Sequence, residues 1–272
     1  MKAIVIQGGG SYGAYSLGRI VAANKNYDAA IGSSTGALIA PFLLSGGINK
    51  LIKAYTNCTN KDVYDYYPFH KNGVPKIHYL IYKLLIGAKG ITNSEPLRKL
   101  IKENYSRELH VINGDKYVYV TVCKLNSITN ATMYCKSSDY SYKDFCDLIW
   151  ASTLVPALFE PLTINGIDYV DGGTTENVGL KKAIELGCDE IDVYLHITKE
   201  TGYKESGKNW LHNAIRAAIM QRNEVVFDDL HYSNNNVNLH YLPNKLEGAG
   251  IMEFNPDVMK KWFNEGYNYG KH

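Results

Sequence analysis

The 272-residue chain is poor in cysteine, in excess charge of either sign and in long apolar runs, and each shortage excludes a class of protein. Its five cysteines, at positions 58, 123, 135, 146 and 188, are odd in number and widely spaced, with no CxxC or Cys/His cluster among them. That argues against a disulfide framework and a structural zinc site, and for a reducing compartment. With 29 Lys+Arg against 27 Asp+Glu the net charge is only +2. A dedicated nucleic-acid binder needs a concentrated basic surface, so no nucleic-acid partner is expected. The longest apolar stretch, from Ala37 to Leu44, is interrupted by Pro41 and falls far short of the roughly 20 residues that span a bilayer. The N-terminal apolar run reaches glycine at position 8, too soon for the core of a secretion signal. The expectation is a cytoplasmic protein, soluble or peripheral on a membrane. No HExxH and no EF-hand loop occurs, so neither metal nor cofactor is expected.

What is present is an ordinary globular composition, 45% hydrophobic and 21% charged. The chain opens as strand (2–7), glycine turn, helix (13–23), strand (29–31), glycine turn and helix (37–44), which implies a mostly parallel α/β sheet. Residues 45–115 read as a helical insert. Beyond it lie strands near 117–123 and 131–135, a helix near 141–150, and a hairpin at 161–170 around Asn165-Gly166. A helix over 178–186, a strand over 191–197, a long helix over 210–230, a strand at 237–242 and a helix near 256–268 follow. No repeat or linker divides the chain, so a single domain over 1–272 is expected.

Three glycine motifs carry the chemistry. Gly8-Gly9-Gly10-Ser11-Tyr12-Gly13 reads as GxGxxG between a strand and a helix. A dinucleotide site would also need an acidic residue at the end of the second strand. That strand ends in Gly32-Ser33, with Asp28 at its start, which weighs against the reading. A plain tight turn remains open, as does an oxyanion hole in which glycine N–H groups and a helix N-terminus approach developing negative charge. Gly32-Ser33-Ser34-Thr35-Gly36 is a GxSxG between a strand and a helix, the setting of a nucleophile elbow. Ser34 is the candidate nucleophile; the competing reading makes it the N-cap of the next helix. Asp171-Gly172-Gly173 is either a turn or a carboxylate presented on a glycine loop at a strand end.

Taken in this order and context, the three motifs resemble those of the patatin-like phospholipase family. Ala151-Ser152, Pro156, Phe159, Pro161 and Gly166 look like the block leading into that family's catalytic Asp, and Asn177 after the loop also matches. Glu95-Pro96-Leu97 and the tail from Phe254 to Gly266 are weaker echoes. The resemblance spans nearly the whole chain and covers 45–115 least. It implies a three-layer α/β sandwich with a nucleophile elbow, and a Ser34–Asp171 dyad. It also implies an oxyanion hole from Gly8, Gly9 and Gly10, supported by the loop glycines Gly32, Gly36, Gly172 and Gly173. The implied activity is hydrolysis of acyl esters of phospholipids or other lipids through an acyl-enzyme. Two positions depart from the pattern: Tyr12 stands where the family has Arg or Lys, and Gly179 where it has proline.

A dyad without histidine poses a difficulty, since an ordinary Asp, with a pKa near 3.9, is a weak base toward serine. Burial of the carboxylate and the positive end of a helix would each help. His196, His212, His231 and His240 follow Asp171 in the order of a Ser–Asp–His triad. All four lie in strand or helix patterns and read as structural. Arg216 and Arg222 read as the solvated face of the long helix. The alternatives to a lipid hydrolase are an esterase or thioesterase for soluble acyl substrates, and a protein binding lipid or nucleotide at the glycine loops without turnover. Between 60 and 90, tyrosines and lysines accompany a helical stripe of Ile77, Leu80, Ile81, Leu84 and Leu85. The expectation is that the stripe packs on the core. The other reading is a lid or lipid-interface segment.

Overall fold

Strands that are apolar along their whole length must be covered on both faces, and the sheet is built on that requirement. The computed structural model describes residues 1–70, 74–199, 220–221, 223–231, 236–244 and 246–271. Of the helix expected over 210–230, residues 210–219, with His212 and Arg216, lie outside the described residues, as does Arg222.

Among the described residues eight strands form one sheet: β1 (Lys2–Ile6), β2 (Ala29–Ser33), β3 (Tyr117–Lys124), β4 (Thr132–Lys136), β5 (Leu162–Ile164), β6 (Ile167–Asp171), β7 (Glu190–Thr198) and β8 (Val237–Leu242). Their order is β5-β6-β3-β2-β1-β7-β8, with β4 also paired to β3. β3, β2, β1, β7 and β8 are mutually parallel, while β4, β6 and β5 are antiparallel additions. The β5–β6 hairpin turns on Asn165 and Gly166, both at positive φ (50° and 77°), as a tight two-residue hairpin requires.

Helices α1 (Gly13–Ala23), α2 (Thr35–Leu43), α3 (Ile48–Asn57), α4 (Asn60–Val63), α5 (Ile77–Leu85), α6 (Glu95–Asn104), α7 (Arg107–Gly114), α8 (Tyr142–Ala151), α9 (Leu180–Glu185), α10 (223–230) and α11 (Pro256–Tyr269) complete the described elements. Ser141 and Asn255 start α8 and α11 by accepting N–H bonds from the first helical turn. α9 begins at Leu180 with Gly179 as its cap, so the absent proline is not needed to start it.

Alternate residues of each strand serve opposite layers. Ile4, Ile6, Val118, Val120 and Val122 face a large core shared with α1, α2, α3, α6, α8 and α11. Ala3, Val5, Ile31, Val193 and Leu195 face a smaller one, closed by Leu180 and Ala183 of α9 and by Val226 and Leu230 of α10. The result is a helix–sheet–helix sandwich, as the family resemblance implied, around the mostly parallel sheet that the alternation of elements implied. All five cysteines are unpaired. Among the described residues no helix is long and apolar enough to cross a membrane.

One expectation is overturned. The α5 stripe does not pack on the core: no residue of α5 is buried, and Leu84 and Leu85 are each 80% exposed. Periodicity reports that a helix has an apolar face, not what that face meets.

At the end of the sheet where the parallel strands begin, Asp192 of β7 is fully buried. Its carboxylate accepts from Lys25 Nζ (2.7 Å), Tyr27 Oη (2.8 Å) and His240 Nε2 (3.0 Å). Burial alone would raise its pKa, but the three donors outweigh burial and hold the carboxyl well below the ordinary range. A depressed folded-state pKa contributes stability above the unfolded value near 4, which is lost as pH falls through the folded one. Asp192→Asn is expected to cost about 1.5–3 kcal/mol at neutral pH and to flatten the acid limb of a Tm-versus-pH curve. An unchanged acid limb would refute this account.

Candidate active site

The parallel strands β1 and β2 end side by side, and each hands the chain to a helix across a glycine turn. After β1 come Gly8, Gly9 and Gly10, then a short 3-10 turn and α1. After β2 comes Ser34, then α2. The two turns interlock with no room for side chains. A Cβ on Gly36 would lie 2.0 Å from Ile6 O, one on Gly32 2.1 Å from Gly36 O, and one on Gly8 2.8 Å from Ser34 Cβ. Glycine at these positions is a steric demand of the crossing.

Ser34 is held at φ 53°, ψ −118°, a conformation costly for a residue with a side chain. It occupies the N-cap position of α2, yet its hydroxyl makes no capping bond. The capping reading therefore fails on geometry. Its backbone N–H donates to Ser152 Oγ (2.9 Å), and that hydroxyl donates in turn to Thr121 O of β3 (2.6 Å). The N-terminal end of α2, with its partial positive charge, begins at the next residue.

Asp171 ends β6 and is 5% exposed. Strand register brings it to Ser34: Ser33 lies opposite Thr121 of β3, and Asp171 lies opposite the next residue, Val122. A Cβ on Gly172 would touch both Thr121 O (2.2 Å) and Ser33 Oγ (2.9 Å). Gly173 N–H donates to Asp171 Oδ1 (2.7 Å), fixing the carboxylate on its loop. Ser34 and Asp171 line the same cavity of about 550 Å³, together with Gly9, Gly10 and Asn177. The rest of its wall is chiefly apolar, including Leu38, Phe42, Leu51, Leu97, Ile101 and Phe159. The volume is that of an ordinary small-ligand site.

The three glycines of the first turn are not equivalent. Gly8 N–H donates to Asn177 Oδ1 (3.0 Å), and Gly8 does not line the cavity. Gly9 O accepts from Tyr12 N. The planar trans peptide therefore points Gly10 N–H the opposite way. Thr35 Oγ1 (2.8 Å) and Tyr55 Oη (2.7 Å) both donate to Gly10 O, pinning the turn. The cavity-facing members are thus Gly9 and Gly10, with Gly8 joining the turn to the Asp171 loop through Asn177.

Tyr12, in the place of a basic residue, packs edge-on against Trp262 of α11, 5.4 Å between ring centroids, and does not line the cavity. Asp28, too, is remote from the glycine turn: it lies at the opposite end of β2 and accepts from Lys2 N. Among the described residues no histidine lines the cavity. His196 is buried against Gly9 behind the turn, His240 belongs to the Asp192 cluster, and His231 is exposed.

Ser152, Thr35, Tyr55 and Asp229 were not singled out as site residues from the sequence. Ser152 was visible only as part of the family block. Tyr55 and Asp229 carry no local signal, because their partners lie 45 and about 50 residues away. Asp229 of α10 accepts from Asn177 N (2.9 Å) and Val178 N (2.8 Å). Burial, reinforced by the nearby Glu176 carboxylate, outweighs these donors and pushes Asp229 up to about 7.

The family model of patatin-like phospholipases matches residues 4–184, roughly two thirds of the chain and the part that holds all three glycine motifs. The chain belongs to the patatin-like phospholipase family, a family of lipid acyl hydrolases. No curated protein matches it by sequence. Among solved structures it is similar to the crystal structure of VipD from Legionella pneumophila, with 14% identity and a TM-score of 0.46. The match covers 99% of this chain and 66% of that one, so this chain spans just under two thirds of VipD's length.

Two outcomes test this geometry. Ser152→Ala removes the acceptor that holds the strained Ser34 backbone and should cost about 1 kcal/mol of stability, read as a lowered Tm. The raised pKa of Asp229 contributes stability below its unfolded value near 4 that is lost as pH rises through about 7. Asp229→Asn should therefore raise Tm at about pH 8 and leave it nearly unchanged at about pH 4. Equal shifts at both would refute the assignment.

Proposed function

We propose that this chain is a serine lipid acyl hydrolase of the phospholipase A or lysophospholipase type, cleaving fatty-acyl esters through a Ser34–Asp171 dyad and an acyl-enzyme. The observation that carries the reading is Ser34. It is held at positive φ with its hydroxyl released from capping, on the wall of an apolar cavity that Asp171 shares.

In this scheme the acyl chain occupies the apolar part of the cavity, which fixes the ester carbonyl beside Ser34. Ser34 Oγ attacks that carbon and its proton passes to Asp171. The negative charge that develops on the carbonyl oxygen is met by the N–H groups of Gly9 and Gly10 and by the N-terminal end of α2. An oxyanion donor of this kind contributes about 3–4 kcal/mol. Collapse of the tetrahedral species breaks the bond to the leaving alcohol, which takes the proton from Asp171 and departs. Water then attacks the acyl-enzyme, again giving its proton to Asp171, and collapse returns a proton to Ser34 and releases the fatty acid. No cofactor enters the scheme. The substrate is drawn from a bilayer or lipid aggregate, so peripheral membrane contact belongs to this reading.

Intact-mass analysis after treatment with a lipid-like fluorophosphonate tests it. Wild type should gain a single adduct, Ser34→Ala none, and Asp171→Asn should react far more slowly. Both variants should lose phospholipid hydrolysis by about 10³ or more. A folded wild type that gains no adduct would sink the hydrolase reading and favour anion binding at the glycine turns without turnover.

A further inference from the structure

A helix on a protein surface normally turns its aliphatic side inward. α5 does the reverse. Ile77, Ile81, Leu84 and Leu85 share one face at i, i+4, i+7 and i+8, and all four are exposed, by 53% to 80%; Ile86, just past the helix, is 55% exposed. The less exposed side carries Tyr79, Leu80 and Lys83, and its contacts to the protein are aromatic and cationic. Tyr79 packs on Tyr66 with ring centroids 4.2 Å apart, Lys83 lies over Tyr79, and Lys76 lies over Tyr66 while donating to Tyr67 O. The helix is thus held by its polar-aromatic side, with its aliphatic side presented outward.

The position of α5 is tied to the cavity. Before it, Tyr64 stacks on Phe159 and donates to Met252 O (2.8 Å). After it, Ile91 and Thr92 donate their N–H groups to Ala157 O and Leu158 O. Phe159 and Met252 line the cavity that holds Ser34. The segment carrying the exposed stripe is therefore fastened at both ends to the cavity wall.

Charge decides the occupant. Between Asp65 and Glu95 the chain has no acidic residue. Lys89, just past the stripe, is 67% exposed and only loosely paired with Asp168 at 3.8 Å, while Lys76 and Lys83 border the stripe half-buried, from the protein-facing side. Protein-binding hot spots favour Trp, Tyr and Arg and are poor in Leu. A stripe of Ile and Leu bordered by Tyr and Lys has the composition of a lipid–water interface, with aliphatic groups entering the acyl boundary and lysines at the anionic headgroups.

We propose that the Ile77–Ile86 face of α5 is the docking surface of this protein for an anionic lipid bilayer, seating the cavity wall against the membrane. The proposal rests on the lipid-hydrolase reading for its purpose, but its test does not require turnover. Ser34→Ala protein is mixed with vesicles of phosphatidylcholine alone, or of phosphatidylcholine with phosphatidylglycerol, and partitioning is measured by flotation. Binding to the phosphatidylglycerol vesicles should weaken with added salt. Leu84→Ser/Leu85→Ser should weaken it by about tenfold or more, since two exposed leucines then have nothing to bury. Lys89→Glu, at the exposed lysine, should reduce the preference for phosphatidylglycerol. With Ser34 intact, the leucine variant should keep wild-type turnover of a monomeric short-chain ester and lose turnover of vesicle lipid. No vesicle binding by the parent protein, or undiminished binding by the leucine variant, overturns the proposal. A dimer in solution that the leucine variant dissolves would overturn it too, assigning the face to a second copy of the chain. Turnover of neither substrate, with vesicle binding intact, would remove the hydrolase reading and leave the docking surface standing.

Discussion

Backbone meets backbone where the turn after β1 crosses the turn after β2, and most of the candidate site depends on that approach. Gly36 lies against the carbonyl of Ile6, and Gly32 against that of Gly36. Only chains without Cβ atoms can come this close, and only this closeness places Gly9 and Gly10 beside Ser34 on one cavity wall. The strain at Ser34 persists because its surroundings over-determine it: Ser152 holds its N–H, and Ala37 N donates to its carbonyl. A looser crossing would let Ser34 relax toward an ordinary N-cap.

Thr121 is the second fixed point. Its carbonyl accepts from Ser152 Oγ, its backbone pairs with Ser33, and the neighbouring Val122 pairs with Asp171. One strand thus registers both halves of the candidate dyad. The antiparallel β6 is what allows this, because it brings Asp171 back toward the end of the sheet where the parallel strands terminate. Asn177 adds a third tie, with its side chain on Gly8 and its backbone N–H on Asp229. The site is a junction of three loops, each held by hydrogen bonds to another.

The molecule separates its polar and apolar demands by place. Asp192 is buried among Lys25, Tyr27 and His240 at the far end of the sheet, where it serves the fold. The cavity end is lined mostly by aliphatic and aromatic side chains, with polar groups concentrated near Ser34 and Asp171. The outward aliphatic face of α5 lies on a segment fastened at both ends to the wall of that cavity.

Local sequence was enough for the elements whose signals are local. Alternation and glycine punctuation placed β1, β2 and the elbow within a residue or two, and Asn165-Gly166 announced its hairpin because only residues tolerant of positive φ make that turn. The motifs also named Ser34, Asp171 and their glycines in chain order. What sequence could not supply was anything set by distant partners. Ser152 and Asp229 matter through contacts made far along the chain, and Gly8 differs from Gly9 and Gly10 only because Asn177 reaches it. The direction of the α5 stripe is the clearest case. Periodicity determined that Ile77, Ile81, Leu84 and Leu85 share a face, but whether that face meets core or solvent was decided by tertiary structure, through the packing of Tyr79 on Tyr66. A helix's own geometry sets which residues share a face; only the rest of the molecule sets which way that face turns.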